Sequence, residues 1–330
     1  MITFDCAINV TFSSFFYILL IQKMSVRIMT YNLLVPIYAE QPENYIYCQS
    51  EFLQTEYRWN LIEKQFEKEM TDHENTIICV QELSLRMLPL MQLFCRRMNY
   101  TLFENLYGGS WNDYMGVGIA IPNTMKLTNV VYIKVGDCIR SICGPTENVM
   151  NDPWETSMSR LNTLVCAEVI VEDKPLWIGT YHMPCYYQEP SVMAIHSSIV
   201  KDQMFKIAAG NDFILTGDFN LEPKDTAYRA LIEKDYRDTN YQSSEKYNVS
   251  YSVMKSAYLE RNGREPNFTT CCHTNGSSWY CDTLDYIFYS GELVVDDVLQ
   301  LPENTNADSY PDETHPSDHL MLAATFSFSK

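Results

Sequence analysis

The sequence predicts an α/β fold in which two mixed, mainly antiparallel β-sheets pack together and are flanked by helices. Short apolar runs with the spacing of strands alternate with longer segments that have the spacing of helices. The alternation is irregular because hairpins interrupt it, which argues against a doubly wound parallel sheet. The 330 residues are 46% hydrophobic and 20% charged, which is enough apolar material for a large core.

The first half of the chain is predicted to supply three strands and two helices. The helices are predicted from apolar residues that recur three or four positions apart, and the strands are predicted from alternating or continuous apolar runs. The strands are predicted at residues 26–31, 76–82 and 114–121, and the helices at residues 51–73 and 85–98.

The second half begins with a predicted hairpin whose turn lies at residues 172–174, between strands at 161–171 and 176–181. The same periodicity arguments apply to the elements that follow. They are helices at residues 190–209 and 226–233 and strands at residues 213–218, 284–289 and 321–328.

Residues 1–23 differ from the rest of the chain, and residues 24–330 are predicted to form one domain without a linker or repeat. Residues 7–21 are mostly apolar, about as long as a signal-peptide core and short for a membrane span. The segment lacks a basic start, so the preferred interpretation is a non-native extension before a natural start at Met24. A secretory signal is the alternative, and it would make the protein secreted.

Charge and cysteine usage restrict the classes of function. The net charge is −18, which opposes a mainly electrostatic grip on long nucleic acid and favours a short substrate. The 11 cysteines include no paired CxxC motif, so a reducing compartment, the cytoplasm, is expected. Cys271, Cys272, His273 and Cys281 do not have the spacing of a zinc finger.

The stretch at residues 214–220 joins an apolar run to two side chains that carry oxygen. Gly217 allows the backbone to turn, and Asp218 and Asn220 would point the same way on an extended chain. A carboxylate beside a carboxamide suits a hard cation and a phosphate. A strand that ends in an Asx turn explains the same residues, so this stretch alone is only a hypothesis.

Further polar side chains follow the other predicted strands. Singly they have structural explanations, since Asn32 or Glu82 could cap a turn or helix and His182 could be a satisfied core histidine. Asp285 is different because a carboxylate inside an apolar run must be paired. Together they form an inventory for phosphoester hydrolysis, which comprises Asn32, Glu82, His182, Asp218, Asn220, Asp285, Asp318 and His319.

Each residue type has a chemical use in that reaction. Glu82 offers an oxygen ligand to Mg²⁺, and Asp218 can orient or deprotonate the attacking water. His319, paired with Asp285, can present a fixed tautomer or an imidazolium to the phosphate, while His182 acts from the other side. The amides at positions 32 and 220 can hold the water or the non-bridging oxygens.

Six short motifs occur in an order that resembles the endonuclease/exonuclease/phosphatase superfamily. They are Tyr-Asn at 31–32, Gln-Glu at 81–82, Tyr-His at 181–182, Gly-Asp-Phe-Asn at 217–220, Leu-Asp-Tyr-Ile at 284–287 and Ser-Asp-His at 317–319. The resemblance covers the chain from about residue 26 to its end. It implies a four-layer, deoxyribonuclease-like sandwich and a phosphoester hydrolase that depends on Mg²⁺, with Mn²⁺ as a substitute.

Residues 264–270 and 282–290 are similar to the deadenylase group, which includes nocturnin, the angel proteins and the 2′,5′-phosphodiesterase. This implies a 3′-exonuclease that acts on RNA. The alternatives are a hydrolase of a small nucleotide, such as 2′,5′-oligoadenylate or an NADP-like molecule, and then an abasic-site endonuclease or a sphingomyelinase. The expected partner is a short RNA or nucleotide, with no integral membrane, no adaptor domain and a monomeric state.

The resemblance also implies roles for individual residues. Glu82 becomes the main Mg²⁺ ligand, with Asn32 and Asp318 beside the metal, and Tyr280 becomes an aromatic that stacks on a base. Tyr114 is expected to contact phosphate, because residues 114–118 resemble the pattern of the abasic endonucleases. The catalytic residues by the same resemblance are His182, Asp218, Asn220, Asp285 and His319. Residues 183–187 differ from the usual deadenylase continuation, which bears on base recognition.

Overall fold

The structure is a computed structural model, and it describes residues 25–41, 43–143, 152–234, 236, 252–274, 279–305 and 309–329. Its strands in chain order are β1 (Val26–Asn32), β2 (Thr76–Leu83), β3 (Tyr100–Leu106), β4 (Gly116–Pro122), β5 (Lys126–Lys134), β6 (Thr163–Val171), β7 (Lys174–His182), β8 (Asp212–Asp218), β9 (Lys255–Ser256), β10 (Thr270–Cys272), β11 (Tyr280–Asp282), β12 (Asp285–Ser290), β13 (Leu293–Val298) and β14 (Leu322–Phe328).

The helices are less regularly spaced along the chain than the strands. They are α1 (Pro36–Ala39), α2 (Thr55–Asp72), α3 (Leu88–Arg97), α4 (Val135–Cys143), α5 (Pro153–Ser159), α6 (Pro190–Ala208), α7 (Thr226–Ile232) and α8 (Ala257–Asn262). A single turn of 3₁₀ helix lies at Ser110–Asn112.

Two six-stranded sheets form the centre of the molecule. The first has the order β13-β14-β1-β2-β4-β3, and the second has the order β5-β6-β7-β8-β12-β9. Within each sheet one central pair is parallel, β1 with β2 and β7 with β8, and the other pairs are antiparallel. Polar residues at the carboxyl ends of the parallel pairs can therefore meet at one edge.

Three apolar clusters define four layers. One cluster fills the space between the sheets and contains Ile28 of the first sheet and Ile178 of the second. A second packs α2 and α3 on the outer face of the first sheet, through residues such as Phe66. A third packs α4 to α7 on the outer face of the second sheet, through residues such as Ile199. This arrangement confirms the predicted sandwich of two mixed sheets between helices.

The hairpin prediction is confirmed in detail. Glu172 and Asp173 have φ values of 49° and 60°, and Val171 pairs with Lys174 across the turn. Two left-handed residues are what a tight hairpin turn requires. The predicted strand at 114–121 begins later, at Gly116, because Asp113 and Tyr114 both have positive φ. Strands β3, β5 and β13 and the helices α4, α5 and α8 were not predicted.

Two further sequence interpretations concern the extension and the membrane. Residues 1–23, with both of their interpretations, lie outside the described residues. Over the ranges that are described, every helix is too short or too polar to span a lipid bilayer.

Candidate active site

The candidate catalytic residues lie at the edge where the parallel pairs end. Asn32 closes β1, and His182 and Asp218 stand opposite each other at the ends of β7 and β8. Asp285 opens β12 and pairs directly with Asp218. Gly217 lies inside β8 with a φ of 142°, and a Cβ atom there would lie 1.8 Å from the Tyr181 carbonyl oxygen. The predicted turn at this glycine is wrong, because the glycine instead allows β7 to approach.

Asp218 is the centre of the site, and only 2% of its surface is exposed. Its Oδ2 accepts a hydrogen bond from Asn32 Nδ2 at 3.0 Å. The same oxygen lies 3.5 Å from His182 Nε2 and 3.7 Å from His319 Nε2. One carboxylate oxygen therefore faces an amide from the first sheet and two imidazoles.

Glu82 is joined to this centre through Asn32. Asn32 Nδ2 also donates to Glu82 Oε1 at 3.1 Å, and the Val35 amide donates to Glu82 Oε2 at 2.7 Å. The oxygen of the same side chain, Asn32 Oδ1, accepts a hydrogen bond from the backbone NH of Leu34 at 3.0 Å. Asn32 thus bridges two carboxylates with its nitrogen, and its own oxygen is already occupied.

Three residues at the same edge have a left-handed backbone conformation. Leu34, Glu82 and Asn220 have φ values of 55°, 56° and 49°. Non-glycine residues rarely adopt this conformation, and each instance costs about 1–3 kcal/mol. The expectation that Asn220 points along an extended chain with Asp218 is therefore wrong. The chain curls back, so that the Asn220 amide NH binds Asp218 Oδ1 at 2.9 Å and Asn220 Nδ2 donates to the Met183 carbonyl at 3.0 Å.

Asp285 and His319 form the second part of the site. His319 Nδ1 lies 2.8 Å from Asp285 Oδ2, and Thr269 Oγ1 donates to the same oxygen at 2.6 Å. Burial raises the pKa of Asp285 to about 6 although His319 opposes the shift. Burial alone would lower the pKa of His319, but the charges of Asp285 and Asp218 outweigh it and raise that pKa well above 6.5. His319 is therefore favoured as an imidazolium.

Asp318 is placed differently from its neighbour His319. Its Oδ2 accepts from the Tyr45 hydroxyl at 2.9 Å, and its backbone carbonyl accepts from the Cys271 amide at 3.0 Å. Within the described chain, its carboxylate is not part of the group of ligand atoms formed by Asp218, Asp285 and His319.

The two predicted substrate-binding tyrosines differ in their surroundings. Tyr280 is half-buried and donates to Glu222 Oε1 at 3.1 Å. Burial raises the pKa of Tyr280, and the charge of Glu222 adds to the shift. Tyr114 follows Asp113, whose carbonyl accepts from the Leu85 amide near Glu82, and 44% of Tyr114 is exposed.

Three residues that support the site were missed as functional candidates. Thr269 Oγ1 also accepts from the amides of Leu284 and Asp285, at 2.9 and 3.0 Å. Asn162 donates to the His182 carbonyl at 2.8 Å, and to the hydroxyl of Tyr107 at 3.4 Å. Gln81 Nε2 reaches Thr180 Oγ1 of the other sheet at 2.9 Å. Gln81 and Thr269 lie in stretches that carry the family resemblance, at 81–82 and 264–270, whereas the sequence carried no signal for Asn162.

The residues present fit a divalent cation. Ligand atoms of Asp218, Asp285 and His319 all lie within 4.8 Å of one another. His319 and Asp285 are already hydrogen-bonded to each other, whereas Glu82 is half-buried and is linked to the cluster through Asn32. Carboxylate oxygens of this kind suit a hard cation such as Mg²⁺.

The family is decided by the extent of a single match. The pattern of the Endonuclease/Exonuclease/phosphatase family fits residues 29–319. The chain belongs to this family. The match contains all the candidate catalytic residues from Asn32 to His319, and it confirms that the protein is a phosphoester hydrolase.

Relatives with described activities cover different shares of the chain. Nocturnin of Xenopus laevis is 26% identical over 325 residues, which are 94% of this chain and 74% of that protein. The 2′,5′-phosphodiesterase 12 of Bos taurus is 25% identical over 90% of this chain, which spans only 51% of that protein. The carbon catabolite repressor protein 4 homolog 4 of Arabidopsis thaliana is 39% identical over 118 residues, 34% of this chain and 26% of that protein.

Solved structures have the same fold. ANGEL2, a 2′,3′-cyclic phosphatase, superposes with a TM-score of 0.73 at 17% identity, covering 93% of this chain and 97% of that one. The human nocturnin catalytic domain gives a TM-score of 0.63 at 21% identity, covering 92% and 95%. These likenesses confirm the deoxyribonuclease-like architecture, and the similarity in sequence to nocturnin and 2′,5′-phosphodiesterase 12 confirms the resemblance to the deadenylase group.

Proposed function

We propose that this protein is a divalent-metal-dependent phosphodiesterase that shortens RNA from the 3′ end, as a deadenylase does. The supporting observation is the meeting of Asp218 with Asn32 and two imidazoles at one sheet edge, beside Glu82. The choice of RNA as substrate is supported by similarity to a probable CCR4-Not complex 3′-5′-exoribonuclease subunit of Vairimorpha ceranae, which is 27% identical over 46% of this chain.

The two parts of the site do different work in this proposal. Asp218 takes a proton from the attacking water, because its Oδ2 is the oxygen on which Asn32 and the two imidazoles converge. His319, charged and held by Asp285, donates a hydrogen bond to a non-bridging phosphate oxygen. His182 supplies a second donor from the end of β7. Asn32 keeps the carboxylates of Glu82 and Asp218 at a fixed separation.

Glu82 is the residue we assign as the main ligand of Mg²⁺ or Mn²⁺, with Asn32 and Asp318 nearby. When bound, the cation would neutralise charge on the phosphate as the bond to the leaving group breaks. We assign Tyr280, whose hydroxyl binds Glu222 two residues after Asn220, as a stacking surface for a base, and the exposed Tyr114 as a phosphate contact.

The first experiment is a substrate screen with Glu82→Gln as the test variant. Purified protein is incubated with labelled poly(A), 2′,5′-linked oligoadenylate, abasic duplex, NADP and sphingomyelin, with and without Mg²⁺. We expect Mg²⁺-dependent shortening of poly(A), which Glu82→Gln reduces by at least about 100-fold because the metal ligand is lost.

Glu74→Gln is the matched control, since Glu74 is exposed just before the opposite end of β2. It should retain the wild-type rate. Shortening that does not need Mg²⁺, or an equal loss in both variants, would contradict the assignment of Glu82. Turnover of another substrate in the screen would replace RNA as the substrate.

A small nucleotide is the second candidate, and the charge distribution favours it. The net charge is −18, and two of the cations beside the site are paired, Arg86 with Glu40 and Lys224 with Glu222. Long RNA needs cations that replace its counterions, so its cleavage should fall steeply with salt. A rate that is flat between low and moderate salt identifies the small substrate, and a steep decline identifies RNA.

A further inference from the structure

Arg58 is a buried cation directly behind the catalytic edge. It lies in the first turn of α2, and 0% of its surface is exposed. Arginine is almost never buried to this extent without a partner that uses its charge or its donors. The partners of Arg58 therefore indicate what the residue does.

Its partners are backbone carbonyls from two loops that are distant in sequence. Arg58 Nη1 donates to the Leu33 carbonyl at 2.9 Å and to the Pro316 carbonyl at 2.6 Å. Nη2 donates to the Leu34 carbonyl. No carboxylate of the described residues forms an ion pair with this guanidinium. The planar fork thus joins the loop after β1 to the loop before β14.

Both loops carry parts of the site. Leu33 and Leu34 directly follow Asn32, and the Asn32 carbonyl accepts from Ser317 Oγ at 2.7 Å. Pro316 precedes the segment that ends in His319. A shift of either loop would change the distance between Asn32 and His319, because both side chains converge on Asp218 Oδ2.

The loop after β1 also needs an external support. Leu34 has a φ of 55°, which is unfavourable for a branched side chain and costs about 1–3 kcal/mol. Its conformation is held by the Leu34 amide on Asn32 Oδ1 and by the Leu34 carbonyl on Arg58. Without the guanidinium, two carbonyls of a strained loop would lose their donors.

The negative charges of the site favour the charged form of Arg58 without direct contact. Burial lowers the pKa of Arg58, while the negative charges of Asp318 and Glu82 oppose that shift. The cation therefore lies behind the acidic residues of the site without touching them, and it offsets part of their mutual repulsion.

We propose that Arg58 is a positioning residue, whose guanidinium fixes the loop at residues 33–35 relative to the loop at residues 316–319. Through these loops it sets the separation of Asn32, Glu82 and His319. The effect on turnover rests on the hydrolytic function proposed above, whereas the effect on the geometry of the metal ligands does not.

The test compares Arg58 with Arg27, a second buried arginine at the opposite end of β1. Arg58→Lys, Arg58→Met and Arg27→Met are each measured well below their own unfolding temperatures. For Arg58→Met we expect kcat to fall about 100-fold, the size of loss that misplacement by about 1 Å can cause, with KM changed less than about three-fold. Arg58→Lys should lose at least about ten-fold, because a point charge cannot span both loops.

A second readout does not need turnover. Calorimetric titration of Mn²⁺ into each protein without substrate should show about ten-fold weaker binding for Arg58→Met, the range seen when outer partners of metal ligands are removed. Arg27→Met should bind Mn²⁺ and turn over substrate as the wild type does, although it is less stable.

Three results would overturn the inference. They are wild-type Mn²⁺ affinity in a folded Arg58→Met, wild-type kcat in Arg58→Lys, and an equal loss of Mn²⁺ affinity in Arg27→Met. If the wild type hydrolyses no phosphoester, the proposed function fails, but the Mn²⁺ titrations still decide the role of Arg58. If Arg58→Met does not fold, Arg58→Lys carries the same comparison.

Discussion

The two ends of β1 are each held by a buried arginine, and the two arginines are satisfied in different ways. At the end away from the site, Arg27 Nε lies 3.1 Å from Glu69 Oε2, and Nη1 lies 3.4 Å from Asp297 Oδ2. At the catalytic end, Arg58 donates to neutral carbonyls only. The charge of Arg27 is neutralised by adjacent carboxylates, whereas Arg58 holds backbone carbonyls in place.

The difference shows how the fold separates stability from chemistry. At the far end, the buried charge of Arg27 is compensated by the adjacent carboxylates of Glu69 and Asp297. The catalytic end keeps Asp218 and Asp285 side by side, and the crowding of their charges raises the pKa of His319 well above 6.5. Charges that disfavour the folded state are therefore concentrated where phosphate is expected to bind.

The largest difference between the two ends should appear in kcat when one carboxylate at each end is neutralised. Asp285→Asn removes the charge that keeps His319 protonated and oriented, so we expect kcat to fall about 100- to 10,000-fold. Its unfolding temperature should stay equal or rise, because burial disfavours the charged form of Asp285. Steady-state kinetics and thermal unfolding measure the two quantities.

Asp297→Asn is the control for this prediction. Its side chain is 54% exposed and pairs with Arg27 at the far end, so kcat should stay within about two-fold and stability should fall by at most about 1 kcal/mol. If Asp285→Asn kept more than a tenth of the wild-type rate, the functional distinction between the two ends would be lost.

The next effect concerns stability at the far end. Arg27→Met leaves the carboxylate of Glu69 buried without its partner, and we expect a loss of about 3–5 kcal/mol in the free energy of unfolding. Removing the carboxylate as well, in Arg27→Met/Glu69→Met, should restore most of this loss. Urea denaturation of the three proteins measures the effect, and a double variant no more stable than the single one would refute the role of the pair.

A smaller effect should appear on acidification, beside the catalytic end. His196 in α6 is fully buried, and its Nδ1 lies 2.8 Å from the Tyr181 hydroxyl. Burial lowers the pKa of His196 to about 3, against about 6.5 in the unfolded chain. The unfolded state thus binds the proton more strongly, so stability is complete above pH 6.5 and is lost as the pH falls below it.

At pH 5 this difference amounts to a loss of about 2 kcal/mol relative to pH 7. His196→Asn keeps a polar partner for Tyr181 but does not titrate, so it should lack this component of the pH dependence. Urea denaturation of both proteins at the two pH values isolates it, since every other titrating group is shared. Equal pH dependence in the two proteins would show that His196 is not held neutral.

Much of the fold was predictable because the central strands are apolar on both sides. Strands β1, β2 and β8 are buried along nearly their whole length, so their runs are unambiguous. Strand β3 forms the edge of the first sheet and β5 the edge of the second, and both are largely half-exposed or exposed. Their sequences do not alternate, and their conformation is fixed by the neighbouring strand.

The site was predictable as an inventory, and less so as an arrangement. The sequence indicated that Asp218 and Asn220 belong together, but the left-handed backbone at Asn220 depends on contacts with Met183, far away in the chain. Arg58 belongs to a helix predicted from its apolar face, where an arginine is expected to face water. Only the packing of the loop at 316–319 against that helix makes it internal.

The position of β14 has a consequence during synthesis of the protein. It lies between β13 and β1, and His319 comes just before it. A nascent chain on the ribosome therefore lacks both an interior strand of the first sheet and an imidazole of the site until residues 319–328 have emerged. We therefore expect the complete set of candidate catalytic residues to assemble only after this region has emerged, because Asp218 and Asp285 precede it and His319 lies within it.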